Sequence, residues 1–492
     1  MASKELIVAP KAVTYGRTAE LAPATWSGPD RDPLLIRAAS RAGEVRRAMS
    51  RTMHDMRYRP PRRRTSKLLV LIPAHNEEDS IGNVLNALLT QSRIPDRIVV
   101  IADNCTDKTE QIARRFRGVT VMRTVGNTER KVGALNQGWL RWQAGYDYVA
   151  GVDADTILAP DCLQQLETDL AATPRPGGVM ARYTFDQKLG ASGMARMLIR
   201  MQRLEFASWT ADALRRNRKT YVLGGQASLF SNEALRAVAE RNLTRGPWDT
   251  STQVEDMQLT GDLKAMRFSA NVSVNARAYA GPMLTVRALW AQRRKWDEGM
   301  ARLLVRSTVN KWTATLWRQQ LSLLSNGVTR IGFVFLLVAS LMVHQYIWNW
   351  LWAIPPGVAA LLNLKLAWRV PNRTLADLLS AMLLVPVEIF LIMRVCCATA
   401  SWANVLAGIK RDGWAQQARA EQGGSGGAGK MLGTVLAVAV LVGGVVYGWT
   451  HSPLFVQREI LTVGWAGLAI VTALQTVLMV FRILRPSRGL RP

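Results

Sequence analysis

Two aspartates one residue apart, Asp153 and Asp155 in Val152-Asp153-Ala154-Asp155-Thr156, stand where an apolar run from Tyr146 to Val152 ends. A buried strand ending there delivers both carboxylates to one spot, where they can face a ribose and a divalent cation that carries a diphosphate. Alone, such a pair is a common surface turn. It gains weight from polar clusters placed in the same way: His75-Asn76-Glu77-Glu78 follows the apolar run Lys67 to Ala74, and Asp103-Asn104-Cys105-Thr106-Asp107 follows Arg97 to Ala102. Downstream, Gly224 and Gly225 precede Gln226 in a stretch where backbone can approach a ligand, Glu255 and Asp256 enter a helical pattern, and Gln292-Arg293-Arg294-Lys295-Trp296 lies on another.

The elements that must hold these residues read as α/β. The run Lys67 to Ala74 is short and continuously apolar, the mark of a strand covered on both faces. After it a helix over 77–89, a strand over 97–102, a helix over 106–116, a strand over 119–123, a helix over 131–143 and a strand over 146–152 alternate at the lengths that parallel units need. Ligands of such sheets sit at the C-terminal ends of the strands, where the polar clusters fall. Pro160 suits the first turn of a further helix, 177–183 reads as a strand, and a long helical pattern covers 193–214.

Composition sets the surroundings. The chain has 492 residues, a formal charge of +27 and 49% hydrophobic residues, and these properties are segregated. Apolar runs collect after Gly327, in segments near 327–344, 346–366, 376–400, 431–449 and 460–483, each close to the length needed to cross a bilayer. Four spans are expected, with 376–400 either spanning or partly embedded because it carries Pro386, Glu388 and Arg394. The excess of basic residues suits a surface facing anionic lipid and anionic nucleotides, and the absence of any basic and aromatic RNA- or DNA-binding pattern argues against a nucleic-acid partner. Four cysteines without paired spacing fit a reducing compartment. Residues 1–33 read as poorly ordered and without a signal peptide, and 34–64 as a basic amphipathic helix and linker. Residues 65–300 read as the catalytic domain, 301–326 as interfacial helices and 327–485 as the membrane region, with a Gly-rich linker near 423–429.

In combination, Pro73-Ala74-His75-Asn76-Glu77-Glu78, Asp103-Asn104-Cys105-Thr106-Asp107, Lys131-Val132-Gly133-Ala134-Leu135-Asn136, the aspartate pair, Val254-Glu255-Asp256 and Gln292-Arg293-Arg294-Lys295-Trp296 resemble the family 2 glycosyltransferases, particularly the membrane-integrated cellulose, hyaluronan and poly-N-acetylglucosamine synthases. The resemblance runs from Lys67 to Trp296. It implies a GT-A fold, a Rossmann-like mixed sheet flanked by helices, followed by an all-α transmembrane region. It further implies inverting transfer of a sugar from a nucleotide diphosphate sugar, UDP-linked, to a polysaccharide, lipid or protein acceptor at the cytosolic face of the cell (inner) membrane. The alternatives are a single-sugar transferase and a catalytically silent scaffold that binds nucleotide sugar.

The same resemblance assigns roles. Asp155 is the first choice to ligate Mg²⁺ or Mn²⁺, and Asp153 to hold the ribose and assist at the metal. Pro73, Ala74, Asn76, Glu77 and Asp103, with Lys131 nearby, hold the nucleotide. Asp256 is the general base, and Gly224, Gly225, Gln226 and Glu255 line the acceptor side. Gln292, Arg293, Arg294 and Lys295 serve the leaving diphosphate, while Trp296 offers a flat face to an acceptor sugar. Lys295 stands where the family has Arg, which keeps the charge and loses the two-pronged grip.

Overall fold

The computed structural model describes residues 66–185, 192–243, 245–345, 350–421, 440 and 442–485. The expected amphipathic helix over 34–56 and the Gly-rich run at 423–427 lie outside the described residues, as does most of the expected segment 431–449.

Strands β1 (Leu68–Ala74), β2 (Arg97–Ala102), β3 (Val119–Arg123), β4 (Tyr148–Val152), β5 (Ile157–Leu158), β6 (Pro176–Phe185), β7 (Ala227–Ser231) and β8 (Ser269–Ala280) form one eight-stranded sheet in the order β3-β2-β1-β4-β7-β6-β8-β5. The first four are parallel, while β7 runs antiparallel to both β4 and β6 and so makes the sheet mixed. Helices α1 (Ile81–Leu89), α2 (Thr109–Ala113), α3 (Arg130–Trp142), α4 (Cys162–Ala171), α5 (Gly193–Arg215), α6 (Asn232–Asn242), α7 (Glu255–Ala265) and α8 (Val286–Arg306) flank it. The unbroken apolar run of β1 has its reason here: Leu68, Val70 and Ile72 pack with α1 and α4 on one face, Leu69 and Leu71 with α3 on the other. Each such leucine contributes about 2 kcal/mol by leaving water.

Two expected helices start late. Asn76 adopts φ 56°, a left-handed conformation that a helix over 77–89 cannot pass through gradually, and the Glu77 carbonyl instead closes a turn by accepting from the Ser80 and Ile81 amides. Asp107 Oδ1 accepts from the Thr109 amide at 2.9 Å and its hydroxyl at 2.6 Å, which delays α2 to Thr109. Pro160 precedes α4 instead of sitting in its first turn, and its carbonyl accepts from the Ser92 amide.

Beyond α8 come α9 (Lys311–Met342), a 3₁₀ turn at Trp350–Ala353 leading into α10 (Ile354–Ala367), α11 (Leu375–Met382), α12 (Leu384–Leu406), α13 (Gly413–Glu421), a helical stretch over 442–450 and α14 (Leu454–Leu484). Among the described residues four helices are long and apolar enough to cross a membrane: Lys311–Met342, Trp350–Ala367, Leu384–Leu406 and Leu454–Leu484. The expected segment 376–400 is not one helix. Pro386 has no amide proton for the Met382 carbonyl and its ring crowds it, so the chain turns extended at Leu383 (φ −69°, ψ 114°) and restarts as α12.

Both ends of α12 lie against the sheet domain. Near its start Val387 packs against the cluster that contains Leu204 and Ala211 of α5, and near its end the Ala400 carbonyl accepts from Arg294 of α8 at 3.2 Å. Arg394, midway, holds Asp297 at 2.9 and 3.1 Å and Glu205 at 3.0 Å. In contrast, α9 leaves the domain after docking Trp312 on the Tyr221 carbonyl, and α14 runs back beside it, with Trp465 bonded to Ser340 and Gln475 to Ser325.

Candidate active site

Pairing of β4 with β7 extends past the strand end, where the Asp153 amide donates to the Gln226 carbonyl at 3.3 Å, so the aspartate motif and the Gly224-Gly225 turn are held side by side. Lys131 enters from the first turn of α3. Its Nζ lies 2.5 Å from Asp153 Oδ1 and 3.9 Å from Glu255 Oε1. Burial opposes the charge on Lys131, yet Asp153, Glu255 and Asp256 together hold its pKa above the ordinary lysine value. Gly225 is needed beside it: a Cβ there would stand 2.6 Å from Lys131 Nζ and 3.6 Å from Asp153 Oδ1. One cleft is lined by Pro73, Lys131, Asp153, Gly225, Trp248, Glu255 and Asp256.

Charge in this cleft is crowded. Burial, and after it the neighbouring Glu255, pushes the Asp256 carboxyl up to about 7, against the opposing pull of Lys131 and of the Met257 amide, which donates to it at 2.7 Å. Glu255 and Asp256 form the first turn of α7, where the helix dipole favours negative charge. Glu77 is also raised to about 7 by burial; a 2.7 Å hydrogen bond from Ser80 works the other way, and the charges of Asp155 and Asp153 add to the rise. Asp155 sits at the exposed rim, so water offsets part of the crowding; the surrounding protein and then Asp153 move it upward. A Cβ on Gly281 would come 3.0 Å from its Oδ2.

Among the described residues no group of three metal-ligating side chains converges. The Asp153 and Asp155 pair nevertheless fits a hard divalent cation of the kind held by one or two carboxylates with substrate phosphates and water filling the remaining positions. The raised carboxyl of Asp155 and its rim position suit a ligand that meets its cation together with the nucleotide.

The remaining expected residues divide. Asp103 is buried, and its Oδ1 accepts from Asn127 at 2.7 Å, Thr124 at 2.8 Å and Asn104 at 3.1 Å. Its amide donates to the Ala74 carbonyl, and Asn76 Oδ1 accepts from the Thr106 amide at 2.8 Å, so the first and second strand ends are laced together. The Gly224 carbonyl accepts from Ser228, and Gln226 Oε1 is buried without a partner among the described residues.

On α8 the five-residue motif does not present one face. Successive helical residues turn by about 100°, so three adjacent cations cannot all point at one diphosphate. Arg293 is fully buried, bonded to Glu205 at 2.8 and 3.1 Å and also to Gln292, with its guanidinium 4.4 Å over the Trp296 ring. Arg294 faces α12. Trp296 packs near Phe206 and Trp209. Of the five, Lys295 turns toward the carboxylates, where burial lowers it to about 8 against the pull of Glu255, and its Nζ lies 3.2 Å over the Trp414 ring.

Residues 69–238 match the family model described as glycosyl transferase family 2. That stretch is similar to a family 2 glycosyltransferase domain. The chain is similar to the poly-beta-1,6-N-acetyl-D-glucosamine synthase of Staphylococcus epidermidis, 25% identical over 280 residues that cover 55% of this chain and 63% of that protein. It is similar also to the protein of that name from Staphylococcus aureus strain MSSA476, 26% identical over 242 residues, 48% of this chain and 55% of the other. The chain thus spans between about half and two thirds of the length of these curated relatives. Among solved structures, the mannosyltransferase PcManGT from Pyrobaculum calidifontis, in complex with GDP-Man and Mn²⁺, is 16% identical, with 90% of this chain and 97% of that one covered and a TM-score of 0.38. Glucosyl-3-phosphoglycerate synthase from Mycobacterium tuberculosis, in complex with Mn²⁺, UDP-Glc and phosphoglyceric acid, is 20% identical over 49% of this chain and 80% of that one, with a TM-score of 0.33.

Several neighbours of the cleft carry no motif of their own. Tyr183 reaches within 2.5 Å of where a Gly224 Cβ would stand, and Asn127 anchors Asp103. Asp412 pairs with Arg130, the Arg411 carbonyl accepts from Gln253 at 2.6 Å, and Trp414 meets Lys295, so the segment after α12 lies along the cleft. Its only sequence signal is the polar stretch Lys410-Arg411-Asp412-Gly413-Trp414 after a long apolar run.

Proposed function

We propose that the protein is an inverting, metal-dependent transferase that moves a sugar from a UDP-linked donor onto a growing polysaccharide at the cytosolic face of the membrane. The observation that carries this reading is the placement of Asp256, with its carboxyl raised to about 7, in one cleft with Asp153 and with Lys131, whose ammonium pairs with Asp153 and faces the neighbouring Glu255. A base poised near neutrality takes a proton without being so strong that it stays protonated. The acceptor hydroxyl oxygen attacks the anomeric carbon, its proton passes to Asp256, and the bond from that carbon to the diphosphate oxygen breaks with the electron pair leaving on the diphosphate. Asp153 and Asp155 would hold Mg²⁺ or Mn²⁺, which supplies charge neutralisation for that leaving group. Lys131 adds a fixed positive charge beside Asp153, and the Gly224-Gly225 turn brings backbone up to the sugar.

Polysaccharide as the acceptor is supported by the names of the curated relatives. The cytosolic placement is supported by basic residues on both membrane-proximal loops of the catalytic side, Arg369 and Arg373 on one and Lys410 and Arg411 on the other. Membrane lipid surrounds the exposed apolar faces of α9 and α14, where Val334, Val338, Ile470 and Leu474 point outward. To test the reading, the purified chain in detergent is given radiolabelled UDP- and GDP-sugars with Mn²⁺ or Mg²⁺. Release of UDP from one donor, lost on adding a chelator, is expected. Silence with every donor would overturn it, and the size of the product separates a polymer from a single adduct.

A further inference from the structure

A second cavity lies between β6, α5 and the loop that follows α10, its wall partly apolar (Ala207, Leu214 and Val370 among others) and partly polar, with Arg182, Thr184 and Arg203. The two-residue period of a strand puts Arg182 and Thr184 on the same face of β6. Both are deeply buried, Arg182 9% and Thr184 6% exposed. Among the described residues, Arg182 Nε and Thr184 Oγ1 have no hydrogen-bond partner, and Arg182 otherwise donates to the Val274 carbonyl at 3.0 Å. Among the described residues Asp377 is already engaged: it accepts from Arg203 at 3.2 Å and lies 3.7 Å from Arg200. Arg203 also donates to the carbonyls of Pro371 and Asn372, which fixes the loop as one wall of the cavity.

A buried guanidinium without a carboxylate is costly, and a donor set of one fork and one hydroxyl matches the oxygens of a phosphate. Burial, and then the like charges of Arg277 and Arg369, lowers Arg182 to about 10, and among the described residues no carboxylate offsets that. Arg369 and Pro371 follow directly on the end of the candidate span Trp350–Ala367, the depth at which lipid headgroups lie.

We propose that this cavity binds a phosphate-bearing anion, the headgroup of an anionic phospholipid, through Arg182 and Thr184. Seating a headgroup between β6 and the loop after α10 ties the catalytic domain to the bilayer surface at a place separate from the sugar-transfer cleft. A free phosphate has the same chemistry, and the experiment distinguishes the two.

The full chain in detergent is titrated with phosphatidylglycerol and with phosphatidylcholine, and bound lipid is counted by native mass spectrometry. Phosphatidylglycerol is expected to bind about tenfold more tightly than phosphatidylcholine, Arg182→Gln to remove about that factor, and Arg182→Lys to restore part of it. Millimolar inorganic phosphate is expected to leave phosphatidylglycerol binding unchanged. If Arg182→Gln does not fold, Thr184→Val, which deletes one donor and keeps the shape, is expected to weaken phosphatidylglycerol about threefold. Equal binding of the two lipids, a folded Arg182→Gln variant that binds as the wild type does, or displacement of the lipid by inorganic phosphate would each overturn the proposal.

Discussion

Lys131 Nζ lies 2.5 Å from Asp153 Oδ1, which joins the start of α3 to the end of β4 across the middle of the cleft. The same ammonium is 3.9 Å from Glu255, so a single cation faces carboxylates on both sides of the cleft. Lys131→Met removes the charge and keeps most of the volume. Without its pull the Asp256 carboxyl rises further, and the acidic limb of the kcat/KM profile is expected to move up by about one pH unit while kcat falls by about 100-fold. A profile with an unmoved limb would separate Lys131 from the base.

Asp256 itself makes two measurements diverge. With a carboxyl near 7, activity is expected to fall as pH drops through about 7, and Asp256→Asn is expected to lower transfer by about 10² to 10⁴ while calorimetry shows UDP bound as before. Loss of UDP affinity instead would assign this carboxylate to the nucleotide.

The stability effect of the same group has a definite sign. Between the ordinary aspartate value of 3.8 and about 7, the folded chain keeps a proton that the unfolded chain releases, so this group's contribution to stability declines as pH rises across that window. Asp256→Asn cannot titrate, and its melting temperature relative to the wild type is expected to climb by about 3 °C or more between pH 5 and pH 8. A difference that stays flat with pH would show that burial does not penalise the charge.

Gly225→Ala tests the close approach of backbone to Lys131. The new Cβ would stand 2.6 Å from Nζ, and the lysine cannot swing away without leaving Asp153. Donor KM is expected to rise about tenfold or more with little change in melting temperature. Gly193→Ala, at an open position in the first turn of α5, serves as the neutral control. Equal kinetics for both variants would remove the Gly225 turn from the site.

The strands at 97–102 and 119–123 were legible because each is a short apolar run between turn residues, and the aspartate pair because it ends another such run. Proximity of Lys131 to Asp153 was not, since local periodicity says nothing about which strand end a helix start will meet. The antiparallel insertion of β7 is hidden for the same reason: Ala227–Ser231 is apolar enough for either direction. On α8 the motif was visible as a charge run, but its division among Glu205, α12 and the cleft depends on partners that lie far away in the chain. Asp412 and Trp414 reach Arg130 and Lys295 only because α12 lies along α8 and returns the chain to the cleft.

That course of α12 decides the topology. Leu384–Leu406 is long and apolar enough to span, yet Val387 packs on α5 and the Ile409 carbonyl, just beyond its end, accepts from Arg302 of α8. A helix whose two ends both touch the sheet domain is expected to lie along the membrane surface instead of crossing it. On that expectation Arg373 and Lys410, both exposed and on either side of α11 and α12, would face one side of the membrane, and His451, between the helical stretch over 442–450 and α14, the other. With single cysteines introduced at these three positions, a membrane-impermeant maleimide applied to inside-out vesicles is expected to label Arg373→Cys and Lys410→Cys, and to reach His451→Cys only from the opposite face. Labelling of 373 and 410 from opposite faces would make α12 a true span and reverse every loop that follows it.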